Sequence, residues 1–191
     1  MSVRVARRRS AVRRDVKAAL LDAAVEVLVA DPSASLAEVA EAAGIGRTTL
    51  HKHYATRDDL LRAVAHRAID RWEHVVGNAD ASAAEAEDGG LRALADAMIT
   101  VGPYLAFLWR NPAFDRFEDI GLRYKRVEPH AMAILERAQK QGTVRAEVPG
   151  YWLLHTFYSL VYVASESIYD GDLAPHDAPD LVVSTFLRGL G

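Results

Sequence analysis

The sequence predicts an all-α fold, with a small N-terminal domain of three helices followed by a larger α-helical domain. Three observations carry this prediction. No stretch of the chain alternates apolar and polar residues as a half-buried strand does. Apolar residues instead recur at helical spacing, and Gly and Pro separate the helical segments.

The composition sets limits on the class of protein. With 191 residues, the chain can form one large domain or two small ones. It has no cysteine, which excludes a disulfide framework and a thiolate metal site. The N-terminus lacks the apolar segment of a secretory signal, and the most apolar stretch, residues 151–164, is shorter than the roughly 20 residues of a membrane span. We expect a cytoplasmic protein without a membrane partner.

Charge is distributed unevenly along the chain. Residues 1–57 contain ten Arg or Lys and six acidic residues, whereas residues 58–191 contain 13 basic and 20 acidic ones. A basic N-terminal part on an acidic body indicates that only this part approaches a polyanion. A solvated basic tail is the alternative interpretation.

The N-terminal part reads as an arm and two helices. Residues 1–13 form an Arg-rich arm that we expect to be flexible. A first helix is predicted over residues 14–29 and is stopped by Pro32. Ser35, followed three residues later by Glu38, forms a capping-box pattern that opens a second helix, which ends at Ala43.

A tight turn at Gly44–Gly46 leads into a third helix over residues 47–54. Thr56 and Asp59 repeat the capping-box pattern and open a fourth helix. We divide this part into a helix-turn-helix DNA-binding domain at 14–57, a connecting helix at 58–76 and a linker at 77–90. The linker is placed there because residues 77–90 are mostly small or acidic.

Residues 91–191 are predicted to form the effector-binding and dimerisation domain. Helices are expected over 91–109 with a kink at Gly102, over 111–117, from there to about 141, over 150–169 and over 178–190. The last two helices are so apolar that they need a cover besides their own core. A dimer supplies that cover, and a monomeric core is the alternative.

The third helix would bury Leu50 and Tyr54 and present polar residues to solvent. The second helix of such a pair can lie in the major groove, where Arg and Lys read guanine and Thr contacts thymine. The outward-facing residues are Arg47, Thr48, Thr49, His51, Lys52 and His53.

The run LAEVAEAAGIGRTTLHKHYATRDDLL at 36–61, with LDAAVEVL at 21–28, resembles the TetR family of bacterial transcriptional regulators. The resemblance covers about residues 14–65. The family usually has Tyr at His51, Phe at Tyr54, Lys at Arg57 and often Ser at Gly46. It implies a homodimer that binds a palindromic double-stranded DNA operator, represses transcription, and is released by a small-molecule effector. DNA contacts are expected from the residues Ser35, Arg47, Thr48, Thr49, His51, Lys52, His53 and Arg57.

The resemblance also implies an effector pocket among the aromatic side chains of the second domain. The residues expected to line it are Tyr104, Phe107, Phe117, Tyr124, His130, Trp152, His155, Tyr158 and Tyr162. A plain hydrophobic core would contain the same aromatics, and either histidine could be a buried core residue. We expect a ligand in the pocket to shift the fourth helix and so weaken DNA binding.

Three other functions fit less of the sequence. His66, Asp70 and His74 share one face of the fourth helix at a spacing that can hold a divalent metal, but no fourth ligand is evident. The common catalytic motifs for nucleotide, serine-nucleophile and zinc chemistry do not occur, so no enzyme is predicted. An architectural DNA binder without a specific operator would need only the basic arm. We predict no cofactor.

Overall fold

The computed structural model describes residues 17–83, 86–111, 114 and 116–190, excluding the side chains of Ser82 and Leu190. The Arg-rich arm and the start of the first predicted helix lie outside these residues. In the described part the chain is helical and contains no strand, as the sequence predicts. The helices are α1 (17–30), α2 (Leu36–Ala42), α3 (Arg47–His53), α4 (Arg57–Ser82), α5 (Leu91–Thr100), α6 (Gly102–Arg110), α7 (Glu118–Lys140), α8 (Gly150–Tyr169) and α9 (Ala178–Leu190).

Local sequence signals set the boundaries of the first four helices. Ser35 and Thr56 each form the capping box that their sequences predict, at the starts of α2 and α4. Gly44 ends α2 with a φ of 65°, a left-handed conformation that residues with a Cβ adopt only at a cost. These signals place α2 and α3 against each other as a helix-turn-helix.

Helix α4 is longer than the sequence predicts. It continues through Gly77 to Ser82, so the first six residues of the expected linker are helical. Val76 and Ala79 are buried, and Asp80 forms an ion pair with Arg137 of α7 at 2.8 Å. These contacts offset the cost of about 1 kcal/mol that a glycine brings to a helix. The remaining connection to α5 is therefore short.

The core of the second domain is built on α4. This helix packs against α5, α6 and α7, while α8 packs against α6, α7 and α9. Trp72 of α4 is fully buried and contacts the rings of Tyr124 and Tyr158. The same helix that begins beside the helix-turn-helix thus forms the centre of the second domain.

The sequence predicts one kinked helix over residues 91–109, but the structure has two separate helices there. Helices α5 and α6 meet at an angle of 74°, because α5 ends at Thr100 and Pro103 stands in the first turn of α6. The short helix predicted after Asn111 lies partly outside the described residues. Helices α7, α8 and α9 begin and end within about two residues of their predicted bounds.

Candidate nucleic-acid interface and ligand cavity

The helix-turn-helix is held rigidly by its capping and core residues. The Ser35 hydroxyl accepts a hydrogen bond from the Glu38 amide at 3.3 Å, and the Glu38 carboxylate accepts one from the Ser35 amide at 2.7 Å. Leu50 of α3 is fully buried and Tyr54 is nearly so. Ser35, one of the predicted DNA contacts, therefore uses its hydroxyl to begin α2.

The face of α3 opposite Leu50 is open to solvent. It carries all six outward-facing residues that the sequence predicts: Arg47, Thr48, Thr49, His51, Lys52 and His53. Helix α3 has no acidic residue in its first turn, and its last turn has three basic-type residues. Within the described residues, Arg47 and Lys52 form no ion pair. This face is a short, electropositive helix surface whose cations are available to a ligand.

Arg57 lies beside this face but points into the protein. Its guanidinium donates hydrogen bonds to the carbonyl oxygens of Pro32 and Ala34 in the connection between α1 and α2. It thereby ties the start of α4 to the first two helices. The family resemblance predicts a phosphate contact for this residue, and the geometry gives it a positioning role as well.

A cavity of about 510 Å³ opens between α6, α7 and α8, and we call it the aromatic cavity. It is lined by Trp109, Arg110, Tyr124, His155, Tyr158, Ser159, Tyr162 and Val163. Tyr124, His155, Tyr158 and Tyr162 are four of the nine residues that the sequence assigns to an effector pocket.

The rings of the aromatic cavity are arranged around Trp109. Its ring centroid lies 5.7 Å from that of Tyr162 and 6.1 Å from that of Tyr158. The indole nitrogen donates a hydrogen bond to the Tyr124 hydroxyl at 3.3 Å. Burial raises the pKa of Tyr124 and of Tyr158, so both phenols stay neutral at any physiological pH. The Tyr158 hydroxyl is buried without a hydrogen-bond partner among the described residues.

Arg110 supplies a cation to the wall of the cavity, and Glu166 balances it. The guanidinium forms an ion pair with the Glu166 carboxylate and lies 5.9 Å from the centre of the Tyr162 ring. Its Nε also donates to the Tyr162 hydroxyl at 3.2 Å. The cavity is therefore aromatic and close to neutral.

Three of the predicted pocket residues do not line the aromatic cavity: Tyr104, Phe107 and Phe117. The Tyr104 hydroxyl donates to Asp22 of α1 at 2.8 Å, because the bend between α5 and α6 turns this side chain toward the first helix. Phe107 is in the core, with its ring 5.1 Å from that of Phe114. Phe117 lies under the guanidinium of Arg62.

His130 and Trp152 are also outside the cavity. His130 is on the exposed side of α7, with its Nδ1 3.6 Å from the Asp80 carboxylate. Trp152 is 63% exposed near the start of α8. His130 lies on a different face of α7 from Tyr124, whereas Trp152 shares the α8 stripe of His155 and Ser159 but precedes the part of it that lines the cavity.

Four further residues line the cavity without having been predicted from the sequence: Trp109, Arg110, Ser159 and Val163. A signal was present on α8, where all five lining residues share one helical stripe: His155, Tyr158, Ser159, Tyr162 and Val163. No comparable signal marks Arg110, because its role depends on Glu166, which comes 56 residues later in the chain.

The metal alternative on α4 gains no support from the geometry. His66 Nε2 lies 2.7 Å from Asp119, Asp70 accepts from Arg123 at 2.6 Å, and His74 contacts Asn78. Within the described part of the chain, no group of three or more His, Asp or Glu could hold a metal ion.

The fold and the α3 face together define a helix-turn-helix, DNA-binding regulator with a separate α-helical domain. Comparison with known proteins places it more narrowly. Residues 20–64 match the family model described as bacterial regulatory proteins, tetR family. The chain is 30% identical over 181 residues to the HTH-type transcriptional repressor LfrR of Mycolicibacterium smegmatis, covering 95% of this chain and 93% of that protein. It belongs to the TetR family.

Further comparisons agree with this assignment. The HTH-type transcriptional regulator NfxB of Pseudomonas aeruginosa is 25% identical over 172 residues, covering 89% of this chain and 91% of NfxB. The structure of the TetR-like regulator LfrR from Mycobacterium smegmatis in complex with proflavine matches with a TM-score of 0.81 and 28% identity, over 94% of this chain and 98% of that one. A second LfrR structure gives a TM-score of 0.66 at 29% identity, over 91% of this chain and 98% of that one.

Membership in this family confirms the expectation of a transcriptional regulator rather than an enzyme. Among the described residues, none of the individual helices has the length and apolar character to cross a membrane. The bent pair α5 and α6 meets that criterion on length and composition alone.

Proposed function

We propose that this protein is a transcriptional repressor that reads its operator with α3. The observation that carries the proposal is the exposed polar face of α3 over a fully buried Leu50. In this geometry Arg47, Thr48 and Thr49 form the N-terminal turn, the part of a recognition helix that reaches base edges. His51, Lys52 and His53 follow and suit phosphate oxygens, which fix the position of the protein on the duplex.

The repressor acts as a homodimer on a palindromic operator. One α3 helix of seven residues reaches only a few base pairs, so two copies related by a two-fold axis are needed for specificity. Trp152, Val163 and Leu181 on α8 and α9 are each more than half exposed, and large exposed apolar side chains suit a helix-to-helix interface. The two recognition helices would then lie about 34–36 Å apart.

The effector is a planar aromatic compound that occupies the aromatic cavity. A cavity of about 510 Å³ is large enough for a small drug-like ring system. Trp109, Tyr158 and Tyr162 offer ring faces and edges against which a flat molecule can stack. The relative LfrR, whose structure with proflavine matches this fold, supports this class of ligand.

Release from DNA follows from the position of α4. This helix begins at the helix-turn-helix and packs against α6 and α7, which form two walls of the aromatic cavity. A ligand that fits a different arrangement of these walls shifts α4 and changes the separation of the two α3 helices. A coupling of about 1–3 kcal/mol between effector and operator is typical of such systems.

Selection of bound duplexes from a random pool, followed by titration at several salt concentrations, tests the DNA interface. Lys52→Ala should weaken binding to all sequences and lower the salt slope by about one. Arg47→Ala should relax the preference at one base pair and cost about 1–3 kcal/mol of discrimination. Lys125→Ala, which removes an exposed lysine from α7, is the matched control. If specific and random duplexes bind equally well at fixed salt, the proposal fails.

Proflavine is the probe for the effector site. It should bind the protein and reduce operator affinity, while Trp109→Ala should weaken proflavine binding without affecting operator affinity in its absence. Proflavine that binds the protein–operator complex without altering operator affinity would contradict the release mechanism.

A further inference from the structure

A second, smaller cavity lies between α1 and the second domain. We call it the interface cavity. It has a volume of about 270 Å³, and its walls come from α1, from the junction of α5 and α6, and from the end of α8. Apolar groups such as Val29, Ile99, Pro103 and Ala106 form most of its surface. It shares no lining residue with the aromatic cavity.

The polar groups of the interface cavity are acidic or neutral. Glu26 and Glu166 both line it. Glu166 is shared with Arg110, whereas Glu26 forms no hydrogen bond or ion pair within the described residues. Among the residues that the structure describes, no Lys or Arg lines this cavity. Among the described lining residues, Glu26 is therefore the carboxylate without a partner, and its charge favours a cation.

Helix ends add to this preference. Helix α1 ends at residue 30, α5 at Thr100 and α8 at Tyr169, so three C-terminal ends meet near the cavity. The C-terminal end of a helix carries a partial negative charge, and neither α5 nor α8 has a basic residue in its last turn to balance it. Only the start of α6 has the opposite polarity there.

Ser165 provides an unused polar group in the same cavity. Its hydroxyl is buried and has no hydrogen-bond partner within the described residues. Ser159 and Ser167 of the same helix donate to the carbonyl oxygens four residues earlier, whereas Ser165 does not. A Cβ at Gly102 would lie 2.7 Å from this hydroxyl, so the glycine is what allows Ser165 to pack this closely against the start of α6. A buried hydroxyl left unpaired in this way costs stability unless a bound molecule completes it.

We propose that the interface cavity is a second ligand site, specific for a small amine with one apolar ring. The ammonium group would contact Glu26 and Glu166 and donate to the Ser165 hydroxyl, while the ring fills the apolar part. The volume of about 270 Å³ exceeds the roughly 150 Å³ of a cavity known to hold benzene, which leaves room for a short amine chain. Because α1 belongs to the DNA-binding domain, occupancy of this site also sets how the two domains are oriented.

The test uses 2-phenylethylamine as the probe, with 2-phenylethanol as its uncharged counterpart. Calorimetry on the full chain without DNA should show saturable binding of one amine per chain, and the alcohol should bind at least roughly fivefold more weakly. Equal affinity for the two compounds, or no saturable binding of the amine, overturns the proposal. Because no operator is present, the result does not depend on the proposed repressor function.

Four variants locate the site. Glu26→Gln should weaken amine binding roughly threefold, and Glu41→Gln, which changes another exposed glutamate, on α2, should not. Ser165→Ala should weaken it roughly fivefold. Ala106→Leu fills the cavity and should weaken binding by about tenfold or more. Glu26 is exposed, so we expect the Glu26→Gln variant to fold. It therefore tests the site even if the buried substitution Ala106→Leu prevents folding.

The two cavities are distinguished by a variant that fills the other one. Ser159→Trp occupies the aromatic cavity and should leave amine affinity within about twofold of that of the unmodified protein. Loss of amine binding in Ser159→Trp, together with full binding in Ala106→Leu, would assign the amine to the aromatic cavity and overturn the proposal.

Discussion

Asp22 of α1 forms a polar link between the helix-turn-helix domain and the second domain. Its carboxylate accepts hydrogen bonds from Arg67 of α4 at 2.8 and 2.9 Å, from Arg71 of α4 at 3.3 Å and from Tyr104 of α6 at 2.8 Å. Burial raises the pKa of Asp22, but the hydrogen bonds from Arg67 and Tyr104 outweigh this effect and hold the pKa below its usual value. The ionised form is therefore the one that the fold requires.

Replacing Asp22 by Asn should destabilise the fold by about 2 kcal/mol. The side chains of Asp22 and Arg67 are 29% and 22% exposed, so their interaction is only partly screened by solvent. Hydrogen bonds to charged groups contribute about 1.5–3 kcal/mol net, and Asn turns a donor toward the donors of Arg67. For a chain of this size, this loss corresponds to a decrease of about 4–8 °C in Tm.

Denaturant unfolding of Asp22→Asn measures this loss, with Glu26→Gln as the control. Glu26 lies one turn further along α1 and has no partner within the described residues, so its substitution should change stability by less than about 0.5 kcal/mol. Tyr104→Phe removes one of the three donors, and a double-mutant cycle with Asp22→Asn then separates the tyrosine contribution. If both α1 variants lose the same small amount, the interdomain link described above has no energetic significance.

Four further perturbations follow from the structure. Hydrogen bonds from Arg62 lower the pKa of Asp119 from 3.8 to about 2. The contribution of Asp119 to stability is therefore full above pH 3.8 and is lost as the pH falls toward 2. Asp119→Asn should remove this part of the acid dependence of unfolding. Arg57→Lys keeps the charge but loses the paired carbonyl contacts, so it should lower the free energy of unfolding by about 1–2 kcal/mol while the salt slope of DNA binding stays unchanged. Tyr158→Phe removes a buried, unpaired hydroxyl and should leave thermal stability unchanged or raise it by up to about 1 kcal/mol; a clear loss would reveal a missing partner. Gly44→Ala should cost about 1 kcal/mol in the same assay through backbone conformation alone, since nothing lies within 4 Å of the added Cβ.

The DNA-binding domain was predictable because its signals are local. Each capping box spans four residues, and Gly44 and Leu50 act within the turn and helix that contain them. The end of α4 was mispredicted for the opposite reason. Gly77 is a local signal for a linker, but the ion pair of Asp80 with Arg137 connects residues 57 positions apart and extends the helix.

The aromatic cavity was only partly predictable, because a helical sequence shows which residues share a face but not where that face points. The α8 stripe from His155 to Val163 could be recognised from spacing alone. The positions of Tyr104 and Phe107 depend on the 74° bend before α6, which sends the first toward α1 and the second into the core. Both residue types are typical of a pocket, but the angle between α5 and α6 places neither side chain in the aromatic cavity.

Helix α6 connects the two cavities with α1. Its first turn borders the interface cavity and carries Tyr104, which bonds to Asp22 of α1. Its last turn carries Trp109 and Arg110, which line the aromatic cavity, and Arg110 holds Glu166 of the interface cavity. With nine residues, α6 spans about 13 Å and is separated from α5 by a bend of 74°, so one short helix carries both groups of contacts. We expect a ligand that displaces Trp109 or Arg110 at one end to act on the contact between Tyr104 and Asp22 at the other, which would give the aromatic cavity a route to α1 in addition to the one through α4.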